Sequence, residues 1–482
     1  MNSIVEAIKL NSISNKDKIC LIDAKGEINY GDYFEKIKKN ASFLVDNDVK
    51  KGDRVVIKSS QSIDCLAALH SVHLIGAIAV PLEKTAKAER ILEIFNDTNA
   101  KCLISDKNIE EVKTYLYSDL NSYEKVKEFD CFPLESDAST ILFTTGTTGK
   151  SKGILMSHFA DVAVAENVLY GTKMKKDNVE ILPMPLNHSF SLRRYYANMI
   201  NGSSAVLLDG VIFVNKFFEA IEKFGATSAG MAPSALSIIL KLSDDKISQY
   251  ADKIDYIEFG SSYMSEAEKK KICSLLPNSR LYNFYGSTEA GCSSIIDFNE
   301  NSENPYNIGK PTVNSVIKFV DEEGNFVNAD KNNPARLITG GKMIMNEYYN
   351  EPELTNEILI NGYIYSNDLG YYDENGDIIM LGRMDDVIIS GGQKISPFDI
   401  EDVCIKYDGV DDCAVIGVDD NVMGQVAKLF IVVNENYDEQ ELVKFLGDRL
   451  ENFQIPKIIT KIKAIPKTYN GKQNKKELRK LV

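Results

Sequence analysis

The chain of 482 residues is poor in the residues that hold metals or form disulfides. It contains four histidines and eight cysteines, and no two cysteines form a CxxC pair. Zinc sites usually show cysteines and histidines at short, fixed spacings, which this sequence lacks. We therefore predict scattered, reduced thiols of the kind found in cytoplasmic proteins, and no structural zinc site.

The sequence also lacks a long apolar segment. Its longest run without charged residues, 65–82, includes two histidines and a serine. We interpret this run as a buried helix that passes through Gly76 into a strand, and not as a membrane span. The first ten residues include Glu6 and Lys9, so no export signal is predicted.

Acidic residues outnumber basic ones, but the excess is unevenly distributed. The formal net charge is −15, whereas the segment from Lys457 to the C terminus has nine lysines and arginines and only one acidic residue, Glu477. An acidic body disfavours nucleic acid as a partner. The basic tail is either a solvated helix end or a surface that meets a polyphosphate, coenzyme A or an acidic carrier protein.

Helical and strand patterns alternate along the chain, as in the helical IDCLAALHSVHLI followed by the strand AIAVPL. Such alternation is typical of an α/β fold with parallel-type sheets flanked by helices. After Arg383 the strands come closer together and indicate a smaller α+β unit. Because the chain is too long for one typical core, we predict a large domain, 1–384, and a small C-terminal domain, 385–482.

The most informative segment is TTGTTGKSKG at 144–153. Its glycines let backbone N–H groups approach an anion, its threonines offer O–H donors, and its lysines supply positive charge. Its spacing differs from the common P-loop, because the residue five after Gly146 is Ser151. The alternative is an ordinary turn between two strands. We predict a phosphate-binding loop made of Thr144, Thr145, Gly146, Thr147, Thr148, Gly149, Lys150 and Lys152.

A second segment, YNFYGSTEAG at 282–291, has the chemistry of a nucleotide site. The Asn283 amide can pair with an adenine edge, and the Tyr285 ring can stack on the base. Thr288 and Glu289 offer oxygens for phosphate and Mg²⁺. We therefore predict a nucleotide site that uses this segment together with the glycine-rich loop.

The order and spacing of these segments resemble the acyl-adenylate-forming ANL superfamily, which comprises acyl- and aryl-CoA synthetases, peptide-synthetase adenylation domains and luciferases. The resemblance covers almost the whole chain. It includes YSNDLGYYD at 365–373, GRMDDVIISGGQKISPFDI at 382–400 and IPKTYNGKQNKKEL at 465–478, and more weakly EYYNEPELT at 347–355.

The resemblance implies a fold, a reaction and a set of roles. The expected fold is the ANL adenylating fold with a mobile C-terminal domain. The expected reaction joins a carboxylic acid to ATP as an acyl-adenylate and then transfers the acyl group to the thiol of coenzyme A. By resemblance, Asp368 binds the ribose hydroxyls, Arg383 reaches ribose or phosphate, Asp385 is the hinge and Lys472 is the catalytic lysine. Gly286 and Ser287 belong to the same nucleotide motif.

The resemblance also places the acid pocket. His188, in PMPLNHSFSL, stands at the position of the histidine that gates this pocket. In amino-acid-activating relatives an aspartate binds the α-ammonium group, and Ser189 takes its place here, which disfavours an α-amino acid. Phe190 offers an apolar or stacking wall. Arg194 either faces the pocket and pairs with a second acidic or polar group of the acid, or faces solvent.

The floor of this pocket departs from the common pattern. Gly260, Ser261 and Ser262 replace the usual Gly-Gly-Ala, so the acid itself cannot be read from the motif. Two other functions stay open. A stand-alone adenylating enzyme would load the acid onto the phosphopantetheine of a carrier protein, and a catalytically silent member would act as a nucleotide-binding scaffold.

Overall fold

The computed structural model describes residues 1–130, 132–144, 151–301, 304, 306–467 and 473–482. Its α-helices, in chain order, are α1 (Ile4–Ser14), α2 (Tyr30–Asp46), α3 (Ile63–Leu74), α4 (Ala88–Asp97), α5 (Tyr117–Ser122), α6 (His158–Gly171), α7 (Ser189–Asn201), α8 (Val214–Phe224), α9 (Pro233–Ser243), α10 (Glu266–Leu275), α11 (Pro352–Ile358), α12 (Pro397–Cys404), α13 (Glu439–Gly447) and α14 (Lys475–Arg479). A 3₁₀ helix spans Lys246–Tyr250.

The strands fall into four sheets. Up to Asp297 they are β1 (Ile19–Asp23), β2 (Gly26–Asn29), β3 (Arg54–Lys58), β4 (Ile78–Leu82), β5 (Cys102–Ser105), β6 (Thr114–Leu116), β7 (Ala138–Thr144), β8 (Lys152–Ser157), β9 (Val179–Leu182), β10 (Ser204–Leu207), β11 (Ser228–Met231), β12 (Tyr256–Phe259), β13 (Arg280–Ser287) and β14 (Gly291–Asp297). Beyond it they are β15 (Lys310–Pro311), β16 (Ser315–Val320), β17 (Phe326–Val327), β18 (Ala335–Gly341), β19 (Glu347–Tyr348), β20 (Leu359–Ile360), β21 (Tyr363–Tyr372), β22 (Ile378–Arg383), β23 (Ile388–Ser390), β24 (Gln393–Ile395), β25 (Val410–Asp420), β26 (Gly424–Val433) and β27 (Ile458–Lys461).

Two large sheets form the body of the fold. One has the strand order β15-β14-β13-β12-β11-β9-β10-β1-β2, and the other β19-β8-β7-β4-β3-β5-β6. Their central strands are parallel and their outer hairpins antiparallel. Parallel neighbours require crossover connections, which the helices supply. The predicted α/β class with parallel-type sheets is therefore confirmed.

The helices α2, α3, α6 and α7 share one apolar core with strands of both large sheets. Local sequence defines where they begin. The side chains of Asn29, Ser62 and Ser157 each cap a helix by accepting a hydrogen bond from a backbone N–H in its first turn. The predicted passage from helix to strand through Gly76 is also present, with φ of 73° at this glycine.

Two smaller sheets complete the chain. The third, with the order β17-β16-β18-β21-β20 and β22 beside β21, is antiparallel throughout. The sequence patterns do not predict this sheet, since two of its strands are only two residues long. The fourth, β24-β23-β26-β25 with β27 parallel to β26, lies entirely after Asp385 and has its own apolar core with α12 and α13.

Three of the four histidines meet in the main core. The ring centroids of His70 and His73 lie 5.3 Å apart, and those of His73 and His158 lie 5.0 Å apart. Burial lowers the pKa of His70 to about 3 and that of His158 to about 4, and holds the pKa of His73 well below its ordinary value. Asp161, one turn beyond His158, is also enclosed, and burial raises its pKa to about 7. The sequence pattern did not predict this cluster.

Among the described residues, no helix combines the length and apolarity needed to cross a bilayer. The seven described cysteines are free thiols. Cys131 lies outside the described residues.

The histidine cluster predicts how stability depends on pH. Below pH 6.5 the unfolded chain takes up protons on histidines that the folded core keeps neutral, so unfolding becomes easier as the pH falls towards 4. The slope is at most about 1.4 kcal/mol per pH unit for each histidine. Asp161 acts in the opposite sense, because its raised pKa favours the folded state at low pH and this contribution is lost as the pH rises through 7.

Urea unfolding between pH 4.5 and 6.5 measures this slope. His158→Leu should lower this slope by about 1.4 kcal/mol per pH unit, which corresponds to the uptake of one proton fewer on unfolding. Asp161→Asn should steepen it, since the opposing contribution is removed. The same slope in all three proteins would contradict a neutral buried cluster.

Candidate active site

The nucleotide segment lies on the hairpin of β13 and β14. The hairpin has a bulge between Tyr285 and Gly286. A Cβ atom on Gly286 would lie 1.9 Å from the carbonyl oxygen of Gly291. Only glycine fits such an approach. The bend leaves Gly286 and Ser287 exposed and Thr288 and Glu289 half-buried beside them. Asn283 lies two residues before Tyr285, and therefore on the same face of the strand.

The Glu289 carboxylate is oriented by a residue to which the sequence assigns no role. Tyr348 Oη donates a hydrogen bond of 2.8 Å to Glu289 Oε1. Burial and the nearby carboxylate raise the pKa of Tyr348, so its hydroxyl keeps its proton. Lys152 Nζ lies 5.5 Å from the centre of the same ring. Tyr348 belongs to the EYYNEPELT block, which is the signal that could have identified it.

The described ends of the phosphate loop are held together. Thr144 pairs with Lys152 across β7 and β8, and Ser151 Oγ donates to the Thr144 carbonyl at 2.8 Å. β19, which carries Tyr348, pairs with β8 at the neighbouring positions. The far end of the loop is thus joined to Glu289. The predicted members Thr145, Gly146, Thr147, Thr148, Gly149 and Lys150 lie outside the described residues.

The predicted ribose residues converge where β13 meets β21 and β22. Tyr285 Oη donates a short hydrogen bond to Asp368 Oδ2. Asp368 pairs with Arg383 across the two strands. The Asp385 carboxylate accepts from Arg383 Nε at 3.1 Å and from Asn367 Nδ2 at 2.9 Å. Nucleotide and hinge residues therefore share one continuous set of contacts.

The acid segment begins α7. His188 is the N-cap of this helix, and its Nδ1 accepts a hydrogen bond from the Phe190 backbone N–H at 3.2 Å. A neutral ring with this contact carries its hydrogen on Nε2. The neighbouring Ser189 Oγ lies 3.1 Å from Thr288 Oγ1. The acid and nucleotide segments, 99 residues apart in the chain, are therefore in direct contact.

Gly260 and Ser261 follow β12 beside α7. A Cβ atom on Gly260 would lie 2.7 Å from the Phe190 ring, so a larger residue would force the ring to move. Ser261 has φ of 68°, in the left-handed region that serine rarely adopts. The backbone is therefore strained at this candidate pocket floor.

The structure corrects the expectation for Arg194. Its side chain neither faces a pocket nor reaches solvent, since it is fully buried and paired with Glu180 and Glu258. Its Nη2 also donates to Tyr256 Oη at 3.2 Å. Gly230 makes room for it, because a Cβ atom there would lie 2.2 Å from the Arg194 side chain. The guanidinium therefore holds the core together.

The oxygens of Thr288 and Glu289 fit a magnesium ion that is held mainly by phosphate. Mg²⁺ at nucleotide sites usually keeps several waters and takes one or two protein carboxylates in addition to phosphate oxygens. No group of three or more histidine, cysteine or acidic residues suited to hold a metal exists in the described part of the chain. One carboxylate beside an ATP site matches that coordination chemistry.

Lys472 lies outside the described residues, but both segments that flank it are anchored. Lys467 and Gln473 form an isolated backbone bridge, and Gln473 Nε2 donates to the Cys413 carbonyl at 2.9 Å. Lys475 Nζ makes a buried ion pair of 2.9 Å with Glu401. These contacts bind the segment that begins at Gln473 to β25 and α12 of the C-terminal unit.

Comparison with known proteins identifies the family. The profile of the AMP-binding enzyme family matches residues 11–349, and that of the AMP-binding enzyme C-terminal domain matches residues 399–472. Two 2-succinylbenzoate–CoA ligases, from Bacillus mycoides and Bacillus cereus, are 26% and 25% identical to the chain, in each case over 97% of this chain and 96% of the relative.

Solved structures share the fold. The o-succinylbenzoate CoA synthetase of Bacillus subtilis, in complex with its acyl-adenylate intermediate, is 22% identical and superposes with a TM-score of 0.86 over 98% of this chain and 97% of its own. ATP-bound MatB from Rhodopseudomonas palustris is 21% identical, with a TM-score of 0.88 over 100% and 99%.

The chain is therefore an adenylate-forming enzyme and belongs to the AMP-binding enzyme family. The predicted membership of the ANL superfamily and the prediction of an AMP-forming acid–thiol ligase are confirmed. The roles of the individual site residues remain predictions.

Replacing the strained serine tests the geometry of the pocket floor. Ser261→Gly should raise the free energy of unfolding by about 1 kcal/mol, because glycine adopts a positive φ without steric cost. Ser262→Gly is the matched control and should bring no gain, since Ser262 is not in the left-handed region. Denaturant titration measures both. A gain in the control alone would contradict the assigned backbone.

Neutralising Glu289 tests its metal-directed role. Glu289→Gln keeps the shape and the Tyr348 contact but removes the charge, so adenylation should slow by about 10²-fold in both directions. Excess Mg²⁺ should restore part of the rate. The control is Glu347→Gln, at the exposed residue that precedes Tyr348, and this variant should match the parent. A Glu289 variant that equals the parent at limiting Mg²⁺ would exclude this role.

Proposed function

We propose that this ligase transfers its acyl group to free coenzyme A and that its acid lacks an α-amino group. The carboxylate attacks the α-phosphate of ATP, pyrophosphate leaves, and the thiol then attacks the acyl-adenylate to release AMP. The relatives named above are CoA ligases or synthetases over nearly their whole length. This supports coenzyme A over the phosphopantetheine of a carrier protein as the acceptor.

The contact between Ser189 and Thr288 carries the proposal. It brings the acid segment and the nucleotide segment to 3.1 Å, so an acid bound along α7 has its carboxylate next to the phosphate site. Holding the reacting groups side by side replaces a bimolecular encounter. Ser189 carries no charge for an α-ammonium group. Glu258, on the neighbouring strand β12, is buried and already paired with two arginines.

The residues of the chain supply position and charge, and no side chain has to act as a nucleophile. Thr288 and Ser189 present hydroxyls where the two substrates meet. Lys152 adds positive charge at the end of the phosphate loop, and Glu289 is oriented to carry a divalent ion. Such preorganised groups stabilise charge that develops on phosphoryl oxygens. Magnesium, when bound, would neutralise phosphate charge.

The domain organisation belongs to the same proposal. We propose that residues 1–384 bind ATP and the acid, and that residues 385–482 move about Asp385 and bring Lys472 to the adenylation step. The separate sheet and core after Asp385 support such a unit. A cytoplasmic location and the absence of nucleic-acid partners fit the acidic body and its free thiols.

Acid-dependent exchange between ATP and pyrophosphate tests the function. A panel of aromatic, aliphatic and α-amino acids, with 2-succinylbenzoate included, should show exchange with at least one acid that has no α-amino group. Thioester formation is then compared between free coenzyme A and a phosphopantetheinylated carrier protein. If no acid supports exchange, the chain is better explained as a nucleotide-binding scaffold. If thioester forms only on the carrier protein, the acceptor is the carrier and not free coenzyme A.

The two half-reactions should separate at Lys472. Lys472→Ala removes a donor expected to touch the charge between carboxylate and α-phosphate, so adenylation should fall by about 10²–10³-fold. A chemically prepared acyl-adenylate should still react with thiol at a near-parental rate. Lys480→Ala, at an exposed lysine of the same tail, is the control. Equal loss in both half-reactions would contradict a domain that moves between them.

A further inference from the structure

We propose that Arg193, held by Glu258, forms the far end of the acid pocket and donates a hydrogen bond to an uncharged oxygen at the distal end of the acid. This inference rests on the proposed function and specifies its substrate class, namely short acids with a distal hydroxyl or carbonyl group.

The position of Arg193 follows from α7. Ser189 begins this helix and contacts Thr288 at the reacting end. Arg193 comes four residues later, on the same face of the helix. One helical turn separates the two by about 6 Å along the axis. A ring-sized or six-carbon acid spans this distance.

Arg193 is packed against aromatic rings and a glycine. Its guanidinium carbon lies 4.6 Å from the centre of the Phe190 ring and 5.5 Å from that of Phe284. A Cβ atom on Gly260 would lie 3.4 Å from its Nη2. Arg193 therefore lies against the predicted pocket residues Phe190 and Gly260, where Arg194 was expected.

One donor of Arg193 lacks an oxygen acceptor. Its Nη2 donates to Glu258 Oε1 at 2.9 Å, whereas its buried Nε reaches no oxygen of the described residues. The thiol of Cys292, a weak acceptor, also contacts the guanidinium. The side chain is only 9% exposed, so solvent does not replace the missing partner freely. Leaving a buried N–H unpaired is costly, and a ligand oxygen would remove that cost.

The charges around Arg193 select an uncharged oxygen. Two guanidinium groups, of Arg193 and Arg194, face two carboxylates, of Glu180 and Glu258. Glu180 also accepts from Asn198 Nδ2 at 2.6 Å. This network is already neutral, so a second carboxylate on the acid would add a buried charge without a counterion. A hydroxyl or carbonyl oxygen satisfies the Nε donor without that penalty.

This choice sets the chain apart from its relatives, because 2-succinylbenzoate carries two carboxylates. The pocket proposed here should favour an acid with one. The sequence alone is compatible with an acidic or a polar second group, and the balanced ion network favours a neutral polar group.

The matched probes are three 4-substituted benzoates, with hydroxyl, methyl or carboxylate, and three six-carbon acids with the same terminal groups. The rate of ATP–pyrophosphate exchange is measured as kcat/KM for each acid. The parent enzyme should favour the hydroxyl acid over its methyl and carboxylate counterparts by roughly tenfold to a hundredfold in at least one series. The methyl acid leaves the Nε donor unpaired in the complex, and the carboxylate acid adds a buried charge.

The test variant is Arg193→Met combined with Glu258→Gln. It leaves Arg194 paired with Glu180, so the remaining buried charges still balance. It should lose the preference for the hydroxyl acid or reverse it in favour of the methyl acid, while the KM for ATP stays near that of the parent. Arg193→Lys is the second variant. Lysine can keep the ion pair with Glu258 but lacks the planar fork, so the preference should also fall.

The outcomes separate the two levels of the proposal. An unchanged ranking in a folded variant, a carboxylate acid ranked first by the parent, or activation only of acids without a distal oxygen would overturn the role of Arg193. Thermal unfolding with and without ATP shows whether each variant is folded. If the double variant does not fold, the acid ranking of Arg193→Lys tests the proposal instead. Exchange with no acid of either panel would instead defeat the proposed function itself.

Discussion

Joining a carboxylate to ATP requires two anions to be held in contact, and their repulsion in a partly dry site costs several kcal/mol. The fold meets this constraint by bringing the edges of three sheets together. The end of β7 and the start of β8 flank the predicted phosphate loop, the β13–β14 hairpin carries Thr288 and Glu289, and β21 and β22 carry Asp368 and Arg383. The contacts among Lys152, Tyr348 and Glu289 connect the first two edges.

The acid side of the site depends on a different interaction. Behind Phe190, the buried ion network of Arg193, Arg194, Glu180 and Glu258 adds to the apolar contacts of α7. Breaking one member would leave an uncompensated buried charge, which typically costs 3–5 kcal/mol. The network therefore fixes α7, and with it the positions of His188 and Ser189. If Arg193 selects the acid as proposed, stability and acid selection are linked through the same side chains.

The sequence predicts the nucleotide side better than the acid side. The nucleotide residues lie in short contiguous segments, such as 282–291, in which each side chain has a role that its chemistry suggests. The acid side depends on contacts between distant elements. Arg194 and Glu258 are 64 residues apart, and nothing local indicates that Gly230 opens a path for the arginine.

Other parts of the fold escaped prediction for similar reasons. The antiparallel third sheet includes strands of two residues, which carry no periodicity to detect. The histidine cluster joins α3 to the start of α6, and the separate positions of His70 and His158 give no local signal of contact. By contrast, the parallel α/β body follows from the regular alternation of helices and strands.

The central claim is that the acid carboxylate attacks the α-phosphate of ATP. Turnover with coenzyme A and the best acid of the panel, labelled with ¹⁸O in its carboxylate, tests this claim most directly when the AMP is analysed by mass spectrometry. One labelled oxygen should appear in AMP, because the acyl–oxygen bond breaks when the thiol attacks. Unlabelled AMP, or label in inorganic phosphate with formation of ADP, would contradict the account.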